Sequence, residues 1–213
     1  MNVDKILTIK FPHTLKHKQM KKFNYAIMLA VSVLALSTAM AQKDSSGIYK
    51  TADDFRQRKL SYAINYKTEK HKIKNNLLFN NAELKVKHDG ETYTLPKSET
   101  YGYRSTKGEE FRFVDNKEYK ILNSGEALLI YVYKHPSHSP KEIEKYPPMY
   151  YFSTDASSAP QSLTKANLKA AFPDSHKFHD ALDAQFKNDK ELHDYDRFHK
   201  MYKLNWIFKN DMN

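Results

Sequence analysis

Histidine and acidic side chains recur between His176 and His199 at spacings that suit metal binding. His176 and His179 are three residues apart, and His179 and Asp183 are four apart, so on a helix all three lie along one side. Imidazole and carboxylate are ligands that zinc accepts where no thiolate is present. These three residues are a candidate metal site, although they match no established motif such as HExxH and also suit the solvent face of an amphipathic helix.

A second group of residues suits the binding of a sugar ring or an extended peptide. Tyr101, Tyr103 and Arg104 flank Gly102 in a segment with the alternation of a strand. Tyrosine rings are flat and amphipathic, and the arginine fork offers several donors in one plane. We predict a ligand-binding face here. The alternative is that both tyrosines pack within a sheet and that Arg104 pairs with a nearby glutamate.

The composition excludes several classes of protein. The chain has no cysteine, and therefore no thiol nucleophile, redox pair or thiolate zinc site. It has only five glycines, with no phosphate-binding glycine loop and no GxSxG elbow, and we predict no cofactor. The basic run from Lys67 to Lys74 has the appearance of a nucleic-acid groove, but lysines also protect strand edges, and we predict no nucleic-acid partner.

The N-terminal part of the chain has the form of an export signal. Lys21 and Lys22 precede an uncharged apolar run over residues 26–36, which is shorter than the roughly 20 residues that span a bilayer. The tripeptide Ala39-Met40-Ala41 has the small-x-small pattern of a signal peptidase site. We therefore predict a cleavable signal over residues 20–41. The alternative is an N-terminal membrane anchor.

Cleavage between Ala41 and Gln42 would leave one mature domain over residues 42–213, a length that can bury its own core. Residues 1–19 are predicted to be an upstream extension from an early start. Loss of residues 1–41 removes six lysines and one aspartate, which lowers the net charge from +10 to +5. Without a cysteine for lipidation, the product is expected in the periplasm or outside the cell, with no stable membrane span.

Residues 61–133 show the period of two that is typical of strands, and residues 48–153 are predicted to be mainly β. Asp89-Gly90 between two alternating segments predicts a tight hairpin, and Asp115-Asn116 predicts a further turn. Strands follow at intervals of about 8 to 12 residues, which indicates an antiparallel β-meander, either a curled sheet or a small barrel-like one. The proline-rich segment over residues 135–148 is expected to be a surface loop.

Helical signals appear at both ends of this region. Thr51 with Asp54 predicts a capping box and a short helix over residues 52–59, and Thr164 predicts a capped helix start within the mainly helical residues 160–210. A second C-terminal helix is predicted from Phe178, Leu182 and Phe186, and a third from Leu192, Tyr195, Phe198 and Tyr202. The predicted fold class is α+β, a β-meander followed by about three short helices.

Four sets of short motifs are distributed over the predicted mature domain. They are Gly47-Ile48-Tyr49 before Thr51-Ala52-Asp53-Asp54-Phe55, then Tyr101-Gly102-Tyr103-Arg104, then Ser162-Leu163-Thr164 with Asn167-Leu168, and finally Asp194-Tyr195-Asp196 before Tyr202-Lys203-Leu204-Asn205. Together these motifs resemble small exported proteins of uncharacterised function from Bacteroidetes. The resemblance implies a Gram-negative envelope setting and offers no catalytic residues.

The function that these observations favour is that of an exported, non-enzymatic envelope or secreted module with a binding or structural role. Its expected partner is an envelope protein or a glycan, because aromatic side chains are frequent and no catalytic group is apparent. The alternative is a metal-dependent hydrolase that uses the histidine and aspartate cluster.

Overall fold

The computed structural model of the chain describes residues 45–69, 72–75, 81–136 and 140–212. The predicted extension over residues 1–19, the signal over residues 20–41 and the cut between Ala41 and Gln42 lie outside these described residues. No helix in the described part is long and apolar enough to cross a membrane.

The described chain is built mainly from antiparallel strands, arranged in sheets of eight, three and two strands. The strands in chain order are β1 (Ser45–Tyr49), β2 (Ser61–Asn65), β3 (Lys72–Asn75), β4 (Glu83–His88), β5 (Glu91–Pro96), β6 (Gly102–Arg104), β7 (Glu110–Val114), β8 (Lys117–Ile121), β9 (Leu129–Tyr133), β10 (Met149–Ser153), β11 (Gln161–Ser162), β12 (Tyr195–Asp196) and β13 (Met201–Tyr202).

The large sheet has the strand order β11, β10, β9, β8, β7, β6, β1, β2. Strands β6 to β10 are consecutive antiparallel neighbours, which confirms the predicted meander. The α+β class is confirmed as well. The sheet ends at β2 and β11, so the barrel-like closure is not confirmed.

The hairpin predicted around Asp89 and Gly90 forms, but it belongs to a different sheet. Both residues have positive φ, at 50° and 83°, as a two-residue turn of this kind requires. Strands β4 and β5 pair with each other, and β3 completes a separate three-stranded sheet. The small sheet packs on the large one, since Leu84 and Val86 share a core with Ile48 and Phe113.

The large sheet has two faces, which the pairing of the strands defines. On the front face, Ile48 lies opposite Tyr103, and Tyr103 lies opposite Phe111. On the back face, Arg112 lies opposite Tyr119, and Ile121 lies opposite Tyr131. The three-stranded sheet covers the front face at β1, β6 and β7, whereas the C-terminal helices pack against Ile130 of β9 and Phe152 of β10.

The helices of the described chain are short, and side-chain caps mark the start of two of them. They are α1 (Ala52–Arg56), α2 (Pro140–Lys145), α3 (Lys165–Ala171), α4 (His176–Gln185) and α5 (Lys203–Asp211). The Thr51 hydroxyl accepts the Asp54 backbone N–H, and the Asp54 carboxylate accepts that of Thr51, so the capping box is confirmed. Thr164 caps α3 by accepting the N–H of Asn167.

Two local predictions are wrong. The expected loop over residues 135–148 contains α2, because proline is tolerated in the first turn of a helix. The third helix predicted through Leu192 and Tyr202 does not form there. The Asp196 carboxylate accepts the backbone N–H groups of Phe198 and His199, which turns the chain between β12 and β13, and the helix begins only at Lys203.

Candidate functional site

The structure places Tyr101, Tyr103 and Arg104 in and beside β6, but it does not gather them on one exposed face. Tyr103 is only 9% exposed, and its ring stacks on Phe111 at 4.8 Å on the front face. Tyr101 packs in the back-face core. Gly102 is required between them, since a Cβ there would lie 1.9 Å from the Phe111 carbonyl oxygen. Both tyrosines contribute to packing, and a ligand-binding role for the three residues stays a prediction.

The predicted metal ligands lie on α4, where polar atoms of His179 and Asp183 have protein partners. The rings of His176 and His179 are 6.0 Å apart, and His179 Nε2 lies 2.9 Å from the carbonyl oxygen of Phe172. Asp183 Oδ2 accepts a hydrogen bond from Lys169 Nζ at 2.5 Å. Among the described residues, no group of three or more histidines and acids is placed to hold a metal ion. The hydrolase stays a hypothesis that this geometry does not support.

A cleft of about 280 Å³ lies on the front face over β7, β8 and β9. It occupies the part of this face between the three-stranded sheet and the C-terminal helices. Phe111 and Val132 provide apolar lining, and Glu109 and Glu118 provide carboxylates. The basic residues around it are Lys97, Lys117, Lys120 and Lys134. The cleft therefore combines an apolar floor with an excess of positive charge.

Glu118 is the acidic residue of the cleft with the most buried environment. Its Oε2 accepts a hydrogen bond from the Tyr103 hydroxyl at 2.9 Å and another from the Asn75 side-chain amide. Burial raises the pKa of Glu118, and the two hydrogen bonds together with the charge of Lys97 only partly oppose this effect. Glu118 can therefore hold a proton more readily than an ordinary surface glutamate.

Lys97 is a buried lysine beside this carboxylate. It lies in a 3₁₀ turn (Lys97–Glu99) that joins β5 to β6, and it is 2% exposed. Its Nζ has no hydrogen-bond partner among the described residues and lies 5.5 Å from the centre of the Phe113 ring. Burial lowers the pKa of Lys97, although Glu118 acts in the opposite direction. An ammonium group without a hydrogen bond is costly to bury, so its place at the cleft is unusual.

Glu109 and Lys120 form an ion pair at the opposite side of the cleft, with 2.7 Å between Oε1 and Nζ. Hydrogen bonding to Lys120 lowers the pKa of Glu109, with help from the charge of Lys134. Both side chains of the pair are partly exposed. The pair neutralises Glu109, so that the remaining basic side chains of the cleft outnumber its remaining carboxylate.

A second surface feature lies on the back face at β8, β9 and β10. The rings of Tyr133 and Tyr151 lie 5.4 Å and 5.1 Å from that of Tyr119, which is buried beneath them. We call Tyr119, Tyr133 and Tyr151 the tyrosine patch. Tyr133 and Tyr151 are half-buried, and Met149 beside them is 46% exposed.

Sequence reasoning missed Glu118 and Lys97. Tyr119 and Ile121 alternate with Glu118 along β8, and this alternation gives Glu118 the appearance of a solvent-facing strand residue. The missed signal is on the neighbouring strand, where Phe111 and Phe113 show that the front face is also buried. Nothing in the sequence around Lys97 indicates its burial.

No protein-family model matches this chain, and comparisons with curated proteins and with solved structures found no significant match.

Proposed function

We propose that this protein is an exported, non-catalytic binding module of the cell envelope or its surroundings, and that its partner contacts the tyrosine patch. The half-exposed rings of Tyr133 and Tyr151 above the buried Tyr119 are the observation that supports this function best. Export is proposed from the signal over residues 20–41, which lies outside the described residues. No cofactor belongs to the proposal.

The tyrosine patch has properties that favour binding. Burial raises the pKa of Tyr133, with a smaller contribution from Tyr151, so the Tyr133 hydroxyl stays protonated and can donate a hydrogen bond. The ring of Tyr119 fixes the two outer rings from below, and fixed rings lose little conformational entropy when a partner binds. Tyrosine offers an apolar ring and a polar hydroxyl to the same partner.

The surroundings of the patch indicate the chemistry of the partner. Lys117 Nζ lies 5.9 Å from the centre of the Tyr133 ring, and Met149 adds exposed apolar surface. A surface that combines rings, hydroxyls and one cation suits a sugar chain or an extended peptide segment. The proposed partner is accordingly a glycan or a protein of the envelope.

Binding of the purified protein to arrayed glycans and to immobilised envelope extract tests this function. Samples of the extract are treated either with protease or with periodate, so that protein and glycan partners are distinguished. We expect Tyr133→Ala combined with Tyr151→Ala to weaken binding by about tenfold or more, which corresponds to about 1.4 kcal/mol.

Tyr195→Ala is the matched control, because Tyr195 is 52% exposed but lies in the β12–β13 hairpin. It should leave binding unchanged. Equal losses in the control and in the double variant would contradict a specific role of the tyrosine patch. Turnover of glycosidic, ester or peptide substrates that both variants leave intact would contradict the non-catalytic function.

A further inference from the structure

We propose that the front-face cleft is a binding site for a small organic anion, in which a carboxylate, phosphate or sulfate group attached to an apolar body is held by Lys97 and the neighbouring lysines. This ligand differs from the partner of the tyrosine patch. Tyr133 and Lys117 border both sites, but the argument for this ligand rests on Lys97 and Glu118, which do not belong to the patch. The argument rests on the size of the cleft, its apolar floor, its charge and one buried ammonium group.

The size and lining of the cleft suit a small ligand. Its volume of about 280 Å³ is close to the lower end of small-molecule pockets, roughly 300–1,000 Å³. Phe111, Val132 and Pro136 provide apolar contacts. A ligand that fills this volume can bury an apolar body on these side chains while it keeps one charged group at the lysines.

The charge of the cleft favours an anion. Four lysines and two glutamates line it, and Glu109 is already neutralised by its ion pair with Lys120. Lys97, Lys117 and Lys134 then face a single remaining carboxylate, that of Glu118. A concave surface with an excess of one charge concentrates ligands of the opposite charge. The shared recognition chemistry is therefore one negative group, whichever kind of acid carries it.

Lys97 supplies an independent observation for the same ligand. The side chain is almost completely buried, it borders the cleft, and its Nζ has no hydrogen-bond partner among the described residues. A buried ammonium group gains most from a partner that brings both a negative charge and hydrogen-bond acceptors. A small shift of the lysine toward the cleft would let a ligand oxyanion provide both.

Glu118 explains how the cleft tolerates Lys97 without ligand and how it accepts an anion. The carboxylate lies near Lys97 and acts on it through charge, without a direct hydrogen bond between the two in the described structure. Because burial raises the pKa of Glu118, its protonation costs little and turns a repelling carboxylate into a donor. A ligand anion can then take the place of Glu118 as the counter-charge of Lys97.

Titration of the purified protein with benzoate, phenyl phosphate and phenyl sulfate tests the site, with benzamide as the uncharged probe. Calorimetry gives the affinities, and amide chemical shifts locate the binding. We expect at least one anion to bind with a dissociation constant of about 1 mM or lower, and benzamide to bind at least about tenfold more weakly. Comparison of the three anions identifies the preferred acid group.

Two substitutions should change the affinity in opposite directions. Lys97→Met keeps the length and apolar contacts of the side chain. It should raise the dissociation constant of the preferred anion by about tenfold, since a charge-assisted contact is lost. Glu118→Gln removes a repelling charge at constant shape and should strengthen binding. Lys85→Met, at an exposed position of β4 away from the cleft, should have no effect.

Several results would overturn the proposal. They are equal affinities for benzamide and the anions, chemical-shift changes that lie away from the residues lining the cleft, or unchanged affinity in Lys97→Met when its unfolding curve shows a folded protein. Tyr151→Ala separates this site from the proposed function, because Tyr151 belongs to the tyrosine patch and does not line the cleft. It should leave anion binding intact whether or not the tyrosine patch binds a partner.

Discussion

Glu110 and Glu118 lie on the neighbouring strands β7 and β8, one in the back-face network and the other in the front-face cleft. Each accepts a hydrogen bond from a tyrosine of the core, Glu110 from Tyr49 at 2.7 Å and Glu118 from Tyr103 at 2.9 Å. Their pKa values nevertheless move in opposite directions, downward for Glu110 and upward for Glu118.

The difference lies in the cation that each carboxylate faces. Burial opposes ionisation of both, but Arg58 donates to both oxygens of Glu110 at 2.6 Å, and its hydrogen bonds with those of Ser124 and Tyr49 outweigh the burial. Lys97 offers Glu118 only its charge. A cation with fixed hydrogen bonds makes a buried carboxylate structural, whereas a cation without them leaves the carboxylate available for a ligand or a proton.

Among the substitutions that test this comparison, Arg58→Met should change the free energy of unfolding the most. It leaves the 5% exposed Glu110 without its cation, and we expect the free energy of unfolding to fall by about 3 kcal/mol, measured by urea denaturation. The control is Lys120→Met, which breaks the more exposed pair with Glu109 and should cost less than about 1 kcal/mol. Equal losses of stability in the two variants would mean that the buried pair of Arg58 and Glu110 contributes no more than the exposed pair of Lys120 and Glu109.

The pH dependence of stability should differ between the two glutamates. The pKa of Glu110 in the folded protein lies below its ordinary value of 4.5, so its contribution is present above 4.5 and is lost as the pH falls through the folded value. The pKa of Glu118 lies above 4.5, so ionisation of Glu118 destabilises the fold only as the pH rises through its folded value.

Urea denaturation from about pH 3 to pH 7 measures these contributions in two variants. Glu110→Gln should flatten the loss of stability in acid, whereas Glu118→Gln should raise stability near neutral pH relative to the unmodified protein. The raised pKa of Glu118 would be contradicted if Glu118→Gln lost stability relative to the unmodified protein as the pH rises from acid to neutral.

Loss of the tyrosine hydroxyl should cost more stability at Tyr49, which donates to Glu110, than at Tyr103, which donates to Glu118. Tyr49→Phe removes a hydrogen bond to an ionised carboxylate and should lower the free energy of unfolding by about 2 kcal/mol. Tyr103→Phe should cost only about 1 kcal/mol, since the carboxylate that it contacts is more easily protonated. Thermal unfolding of both variants at neutral pH ranks the two losses. The reverse order would contradict the conclusion that Glu110 is the more readily ionised of the two carboxyl groups.

Lys97→Met should have a small effect of the opposite sign. Burial of an ammonium group without hydrogen bonds is unfavourable, so methionine should leave stability unchanged or raise it by about 1 kcal/mol. Urea denaturation at neutral pH checks this expectation. A large loss would show that Lys97 stabilises the fold, and the anion site would then have to be judged on Glu118→Gln alone.

Chelation should have the smallest effect. Asp183 already has Lys169 as its cation, and His179 contacts a backbone carbonyl, so we expect EDTA to leave the midpoint of thermal unfolding of tag-free protein unchanged. Metal analysis of the same sample is the companion measurement. Stoichiometric zinc, or a clear drop in the midpoint that zinc restores, would support the metal-dependent hydrolase. Asp183 would then be a metal-bound carboxylate, unlike Glu110 with its arginine and Glu118 beside its lysine.

The parts of the fold that depend on neighbouring residues could be predicted from the sequence. The caps at Thr51 and Thr164 and the turn at Asp89-Gly90 are set by side chains within a few residues, and the meander from β6 to β10 follows from short turns. The position predicted for the third C-terminal helix is wrong because the apolar spacing carries no sign of the turn that the Asp196 side chain forms.

The candidate site could not be predicted, because it depends on pairings between distant segments. Glu118 receives a hydrogen bond from Asn75, 43 residues earlier, and Lys97 is buried with its Nζ over the ring of Phe113, which follows it by 16 residues. Tyr101 and Tyr103 were expected to share a binding face, yet they pack in separate cores. Residue types identified the chemistry that was available, but only the long-range packing determined which groups are buried.

The position of β1 has a consequence for the order of folding. This strand precedes the rest of the sheet in the chain, but it lies between β2 and β6, and Tyr49 meets its partner Glu110 only 61 residues later. The pairing of β1 with β6 and the contact of Tyr49 with Glu110 on β7 therefore cannot form until β6 and β7 have been synthesised, and such long-range pairing slows folding. Until then, β1 can pair only with β2, and the side of β1 that faces β6 in the folded protein stays without its partner.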